Sequence, residues 1–215
     1  MKTLDALDET SKRLPEVVVL RNSLQKDCNN STAEDRAATE ELLKQQPHNA
    51  TLLACLGASL RTVDPARSLE LYRQAAESEP RNIRYATGYA AALVQARRFA
   101  EAVVIFRRIL AIQPDNFTAR TNLATALYEL KQYPAALTEF KALVEAKPDL
   151  VVAYYFIATA HDYLGEYPEA LAAYEMFLTR ADAQKNQLEI DKVNLRLPML
   201  RNQVKRGEGA KKKKQ

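Results

Sequence analysis

Prolines recur in this chain at Pro47, Pro80, Pro114 and Pro148, at intervals of 33, 34 and 34 residues. Three of them are followed two residues later by asparagine, at Asn49, Asn82 and Asn116. A proline just past a helix stops it. Asparagine is among the strongest caps for the next helix, because its side-chain oxygen accepts from a backbone N–H that has no helical partner. Other positions keep the same beat: Phe99, Tyr133 and Tyr167, then Ala102, Ala136 and Ala170, then Phe106, Phe140 and Tyr174. Self-similarity at a fixed period of about 34 residues means stacked supersecondary units, none of which can bury its apolar face alone.

Within each period the apolar residues are spaced for helices, as in Leu52, Leu53, Leu56 and Leu60, then Leu69, Tyr72, Ala75 and Ala76. Each unit therefore reads as two short helices. The break between them is marked by Asp64-Pro65, Arg97-Arg98-Phe99, Gln132-Tyr133-Pro134 and Gly165-Glu166-Tyr167-Pro168. Pro134 and Pro168 suit a first helical turn, where a missing N–H costs nothing. Composition agrees: 47% hydrophobic and 27% charged residues, with five glycines and no tryptophan, exclude both a disordered polyelectrolyte and a membrane-embedded chain.

These residues resemble the tetratricopeptide repeat family, whose 34-residue helix–turn–helix unit carries small and large apolar residues at set positions. The repeats span 50–82, 83–116, 117–150 and 151–182. In them the small helix-packing position reads Gly57, Ala90, Ala124 and Ala158, and the leucine-like position reads Leu56, Tyr89, Leu123 and Ile157. The residue opening the second helix reads Ser68, Ala102, Ala136 and Ala170. Two departures stand out: the late alanine survives only as Ala75, giving way to Ile109, Leu143 and Phe177, and the first repeat is one residue short at Asp64-Pro65. The resemblance implies an all-α, right-handed superhelical solenoid.

Residues 1–49 read as an N-terminal helical arm and a degenerate leading repeat, with Val17, Leu20 and Leu24 on one helix and Ala37, Ala38, Leu42 and Leu43 on the next. Ser31-Thr32-Ala33-Glu34 predicts a capping box between them. Residues 183–206 form an amphipathic helix with Ile190, Val193, Leu197, Leu200 and Val204 on one stripe, expected to cap the last repeat and to bend or break near Pro198. A dimerisation or partner-binding helix is the alternative. Residues 207–215 read as a disordered lysine-rich tail.

Function follows from surfaces, since the fold alone implies none. The resemblance implies a concave groove, lined by the first helix of each repeat, that accepts a peptide or helix of a partner. The residues falling there include Arg61, Arg84, Thr121, Asn122, Thr125, Tyr128, Tyr155, Phe156, Thr159, Asp162 and Tyr163, besides Ala54, Cys55, Ala58 and Gly88. Tyr128, Tyr155, Phe156 and Tyr163 form an aromatic wall, so a partner with an apolar or aromatic anchor fits best. Only Asn122 matches the family's chaperone-tail clamp, which argues against that mode. The expected function is a non-catalytic interaction scaffold or adaptor, monomeric or weakly dimeric. A secretion-type chaperone sheathing an apolar client is the alternative.

Catalysis finds little support. His48 lies in a linker, and His161 and Asp162, adjacent on a helix, point about 100° apart. No phosphate loop, metal set or cofactor motif occurs, so catalytic residues, metal and cofactors are expected to be absent. Net charge is +4, but residues 211–214 are all lysine, and without them acids and bases balance at 27 each. Specific nucleic-acid binding is therefore not expected; the tail permits a polyanion- or membrane-surface role by avidity. Cys28 and Cys55, 27 residues apart, indicate neither a zinc site nor a disulfide framework, so a reducing compartment, the cytoplasm, is expected. Residues 1–12 carry Asp5, Asp8 and Glu9 and lack the apolar core of a secretory leader, and no apolar run approaches the roughly 18 residues of a membrane span.

Overall fold

The computed structural model describes residues 28–209. Expectations for the N-terminal arm, for Val17, Leu20 and Leu24, and for the lysines at 211–214 lie outside the described residues. Among the described residues there are ten α-helices, one 3-10 turn and no strand. They fall into two compact units that meet in the sequence between Pro114 and Asp115. The first holds the 3-10 turn Cys28–Asn30 and helices α1 (Ala33–Gln45), α2 (Ala50–Leu60), α3 (Pro65–Ser78), α4 (Ile83–Gln95) and α5 (Phe99–Ile112). The second holds α6 (Phe117–Glu129), α7 (Tyr133–Ala146), α8 (Val151–Tyr163), α9 (Tyr167–Leu178) and α10 (Gln187–Lys205). Within each unit every helix packs on the next in sequence.

The helix ends follow from the periodic residues. Asn49, Asn82 and Asn116 cap α2, α4 and α6 by accepting from the N–H of Thr51 and Leu52, of Arg84, and of Ala119. Pro65, Pro134 and Pro168 each stand in a first turn. A second repeated device closes α4, α6 and α8. Arg97, Lys131 and Gly165, 34 residues apart, hold φ of 59°, 59° and 71°. The following N–H groups, of Arg98, Gln132 and Glu166, donate back to Leu93, Leu127 and His161. This is the 6→1 bond of a Schellman cap. The shorter break at Asp64-Pro65 omits this device, and the Asp64 carboxylate accepts from Arg67 N–H at 3.0 Å instead.

Packing explains the rest of the pattern. Ala90, Ala124 and Ala158, and Ala102, Ala136 and Ala170, are fully buried, as a close approach of two helices requires. Ser68 takes the alanine position in the first repeat and is satisfied there by donating to the Gly57 carbonyl at 2.6 Å. Ala75, Ile109, Leu143 and Phe177 are all buried, so the larger residues at that position fill core volume rather than face solvent. Val193, Leu197 and Leu200 of α10 join the core of Ala158, Ala170, Tyr174 and Phe177.

Several expectations are corrected. The capping box of α1 is formed by Thr32 with Asp35, not Glu34, the two exchanging bonds of 3.0 and 3.1 Å. Helix α10 continues through Pro198. Residues 207–209, expected within a disordered tail, form a turn, and Gly209 with φ of +73° lies so close to the Gly165 carbonyl that a Cβ would sit 2.2 Å from it. The largest correction is a disulfide joining Cys28 to Cys55. The intervening chain contains α1, which folds back on α2 and returns Cys28 to it. Sequence spacing does not encode that approach.

Candidate functional site

In the second unit the aromatic side chains form one continuous set. Tyr133 and Tyr163 stack with centroids 4.9 Å apart, and Phe140 and Phe156 stack at 5.2 Å. Tyr128 meets Tyr133 and Phe156 edge-on at 5.4 and 5.1 Å. Tyr155 touches Phe156, Tyr174 and Phe177. Such contacts lock each ring before any ligand arrives, which lowers the ordering cost of binding. Tyr163 is 67% exposed, whereas Tyr128, Tyr155 and Phe156 are half-buried.

The polar groups are arranged around these rings. Tyr128 Oη donates to Thr159 Oγ1 at 3.0 Å, and burial, partly offset by that bond, leaves the phenol pushed up to about 12. Burial also raises the Tyr155 phenol, with the Glu189 carboxylate adding to it. Asp162 accepts a two-pronged bond from Arg196 of α10, Nε to Oδ2 and Nη2 to Oδ1, both 2.7 Å. Nη2 also donates to Gln203 Oε1 at 2.8 Å. The carboxylate contact holds the guanidinium above its ordinary range. Tyr155, Thr159, Asp162, Tyr163, Tyr174 and Arg196 line a cavity of about 400 Å³, of the size that takes one side chain of a partner.

Not every expected groove residue is presented to solvent. Thr159 is buried, its hydroxyl taken by Tyr128 and by the Phe156 carbonyl. On α6, Thr121 and Thr125 donate to carbonyls of their own helix, and Asn122 Nδ2 donates to the Thr118 carbonyl at 2.9 Å. These groups line the helix more than they offer it. His161 is buried with Nδ1 2.6 Å from Glu166 Oε2, while Asp162 turns to Arg196, so the two adjacent residues serve different contacts.

In the first unit, burial raises the Tyr72 phenol, and the charges of Arg61 and Arg84 offset part of that rise. The Tyr72 ring lies between Gly57 and Gly88 so tightly that a Cβ on Gly88 would be 2.2 Å from it. Thr51 and Tyr85, one repeat apart, share a hydrogen bond of 3.0 Å. A cavity of about 330 Å³ is lined by Cys28, Asn29, Ala54, Ala58, Tyr72, Arg84 and Tyr85. Ala54 and Cys55, expected as open groove positions, are buried. The disulfide and the turn Cys28–Asn30 account for this.

Two models of the tetratricopeptide repeat family match the chain, over residues 58–117 and 93–155. The chain is a tetratricopeptide repeat protein. Solved structures with the same fold include MamA AMB-1, at 19% identity and a TM-score of 0.68 over 79% of this chain and 99% of that one. MamA MSR-1 is similar at 21% identity and a TM-score of 0.69, over 80% and 97% of the two chains. The MamA RS-1 ArsTM double mutant is similar at 14% identity and a TM-score of 0.68, over 84% and 99%. No curated protein matches the chain in sequence. In this tetratricopeptide repeat protein the periodic residues carry the fold. The surroundings of the site come partly from residues not expected in the groove: Tyr133 and Tyr174, read from the sequence only as repeat positions of second helices, and Arg196, which stands one period beyond Asp162.

Proposed function

We propose that this protein is a non-catalytic adaptor that seats an apolar or aromatic side chain of a partner segment against Tyr163 and Tyr155. Tetratricopeptide repeats are protein-interaction scaffolds, and that coarse role follows from the family. The observation that carries the finer reading is Tyr163: a large ring, mostly exposed, held flat by Tyr133 at the mouth of a cavity. Pre-stacked tyrosine offers contact area at small entropic cost and a hydroxyl for the rim. Burying one such anchor contributes about 1.5–3 kcal/mol, whereas micromolar binding needs about 8. Further contacts along the helices must supply the remainder.

The cytoplasm is the proposed location. No helix among the described residues is long and apolar enough to cross a membrane. Disulfides in that compartment are usually transient or redox-sensing, and the Cys28–Cys55 bond would belong to that class.

Selection from a displayed random-peptide library tests the role. Enriched peptides sharing one aromatic or aliphatic anchor support it. Absence of enrichment over a Tyr163→Ala control contradicts it.

A further inference from the structure

The bond between Cys28 and Cys55 lays the turn Cys28–Asn30 on α2. Cys55, Ala54, Ala58 and Arg61 occupy the positions that the repeat pattern gives to the inner face of a first helix. The chain's own backbone therefore covers a surface on which a repeat of this class would receive a partner. A hydrogen bond from Arg61 Nη2 to Asn29 Oδ1, 2.9 Å, adds a link at the exposed edge.

Helix α1 is held by other means. Leu42 is buried and Leu43 packs on the core of Leu53, Leu56 and Leu71. Glu40 pairs with Arg67 of α3 at 2.7 Å, and the Thr32–Asp35 box starts the helix independently. Loss of the disulfide therefore removes the covalent tie of the turn to α2 without unseating the helix that follows it. Cys28 and Cys55 are only 4% and 5% exposed, yet Cys28 forms part of the wall of the 330 Å³ cavity. That cavity gives a small thiolate a route to the bond.

We propose that Cys28–Cys55 is a redox-controlled strap: oxidised, it closes the inner face of α2, and a dithiol reductant opens it. One thiolate of the reductant attacks a sulfur of the pair, the S–S bond breaks, and the other cysteine leaves as a thiolate that takes a proton. The second thiol of the reductant then attacks the mixed disulfide, releasing the second cysteine. The reductant ends as its own disulfide, and two electrons and two protons have passed to the protein. Opening extends the cavity lined by Ala54, Ala58, Tyr72 and Arg84 along α2. This inference rests on the adaptor reading only for what the opened face would bind; the strap itself is tested without a partner.

The test uses the full chain, purified oxidised, in native buffer. Maleimide labelling read by intact mass should add no label before dithiothreitol and two labels after it. Hydrogen exchange read by mass spectrometry should quicken at least about tenfold at residues 28–31 on reduction, with α1 unchanged. Cys28→Ser should show the fast pattern without reductant, and the reduced wild type gives the same reading should that variant fold poorly. Two free thiols before any reductant, labelling only after denaturation, unchanged exchange at residues 28–31, or loosening of α1 along with the turn would each overturn the proposal.

Discussion

Tyr163 lies flat against Tyr133, with ring centroids 4.9 Å apart and planes within 7° of parallel. The first residue ends α8 and the second begins α7, so the pair ties consecutive repeats at their exposed edge. The ring of Tyr128 meets both from the side, at 5.4 and 6.4 Å. Aromatic edges and faces in this arrangement attract one another, and each ring fixes the orientation of the next.

The phenols report on this packing as pH rises. Tyr128 is pushed from 10.0 up to about 12, chiefly by burial, and burial raises Tyr174 as well, with the Asp162 charge adding to it. Above pH 10 the unfolded chain releases these protons while the folded chain keeps them. The unfolded state then binds fewer protons, so stability falls as pH climbs from about 10 to about 12. Denaturant midpoints across that window should decline, and Tyr128→Phe should flatten part of the decline.

The three left-handed turn residues should respond in opposite directions. An L-residue pays about 1–2 kcal/mol in that conformation, against about 0.5–1 kcal/mol of chain entropy lost by glycine. Arg97→Gly and Lys131→Gly, each at φ of 59°, should therefore stabilise by about 0.5–1 kcal/mol. Gly165→Ala should destabilise by about 1 kcal/mol although open space surrounds its Cβ position. Thermal unfolding of the three variants distinguishes these signs.

Gly88→Ala places a methyl 2.2 Å from Tyr72 Cε1 and 2.6 Å from Cδ1. Overpacking of this kind costs about 1–3 kcal/mol. The cost should shrink in a Tyr72→Leu background, and a double-mutant cycle in urea measures that coupling.

The Asp162–Arg196 pair holds α10 against α8. Side-chain exposures of 16% and 25% leave it partly screened, so Arg196→Ala should cost about 1–3 kcal/mol, less than a fully buried pair. Asp162→Asn together with Arg196→Leu should cost less than the two single changes added. Urea midpoints and amide exchange along Gln187–Lys205 read the outcome.

The repeats were readable from the chain alone because their determinants are local. Asn49, Asn82 and Asn116 act within one helical turn, and Ala102, Ala136 and Ala170 are demanded by helix approach at a fixed register. The site was readable only in part. Tyr128, Tyr155, Phe156, Asp162 and Tyr163 do converge in the second unit, since helical spacing alone sets their direction. Thr159 lines the same cavity but is buried, its hydroxyl taken by Tyr128 and the Phe156 carbonyl, because a small rotation about the helix axis carries a residue from face toward core. The disulfide and Arg196 depend on how segments outside the regular repeats fold back, and no periodic signal specifies that. The exposed Leu188, Leu195 and Met199 of α10 have no counterpart in the expected stripe.

Calorimetry with an anchor-bearing peptide from the displayed library, on wild type and on Tyr163→Ala, tests the adaptor role most directly. Removing the exposed ring should weaken the peptide by about tenfold, or about 1.4 kcal/mol, with the melting temperature nearly unchanged. Equal affinity for the two proteins would contradict a binding surface centred on Tyr163.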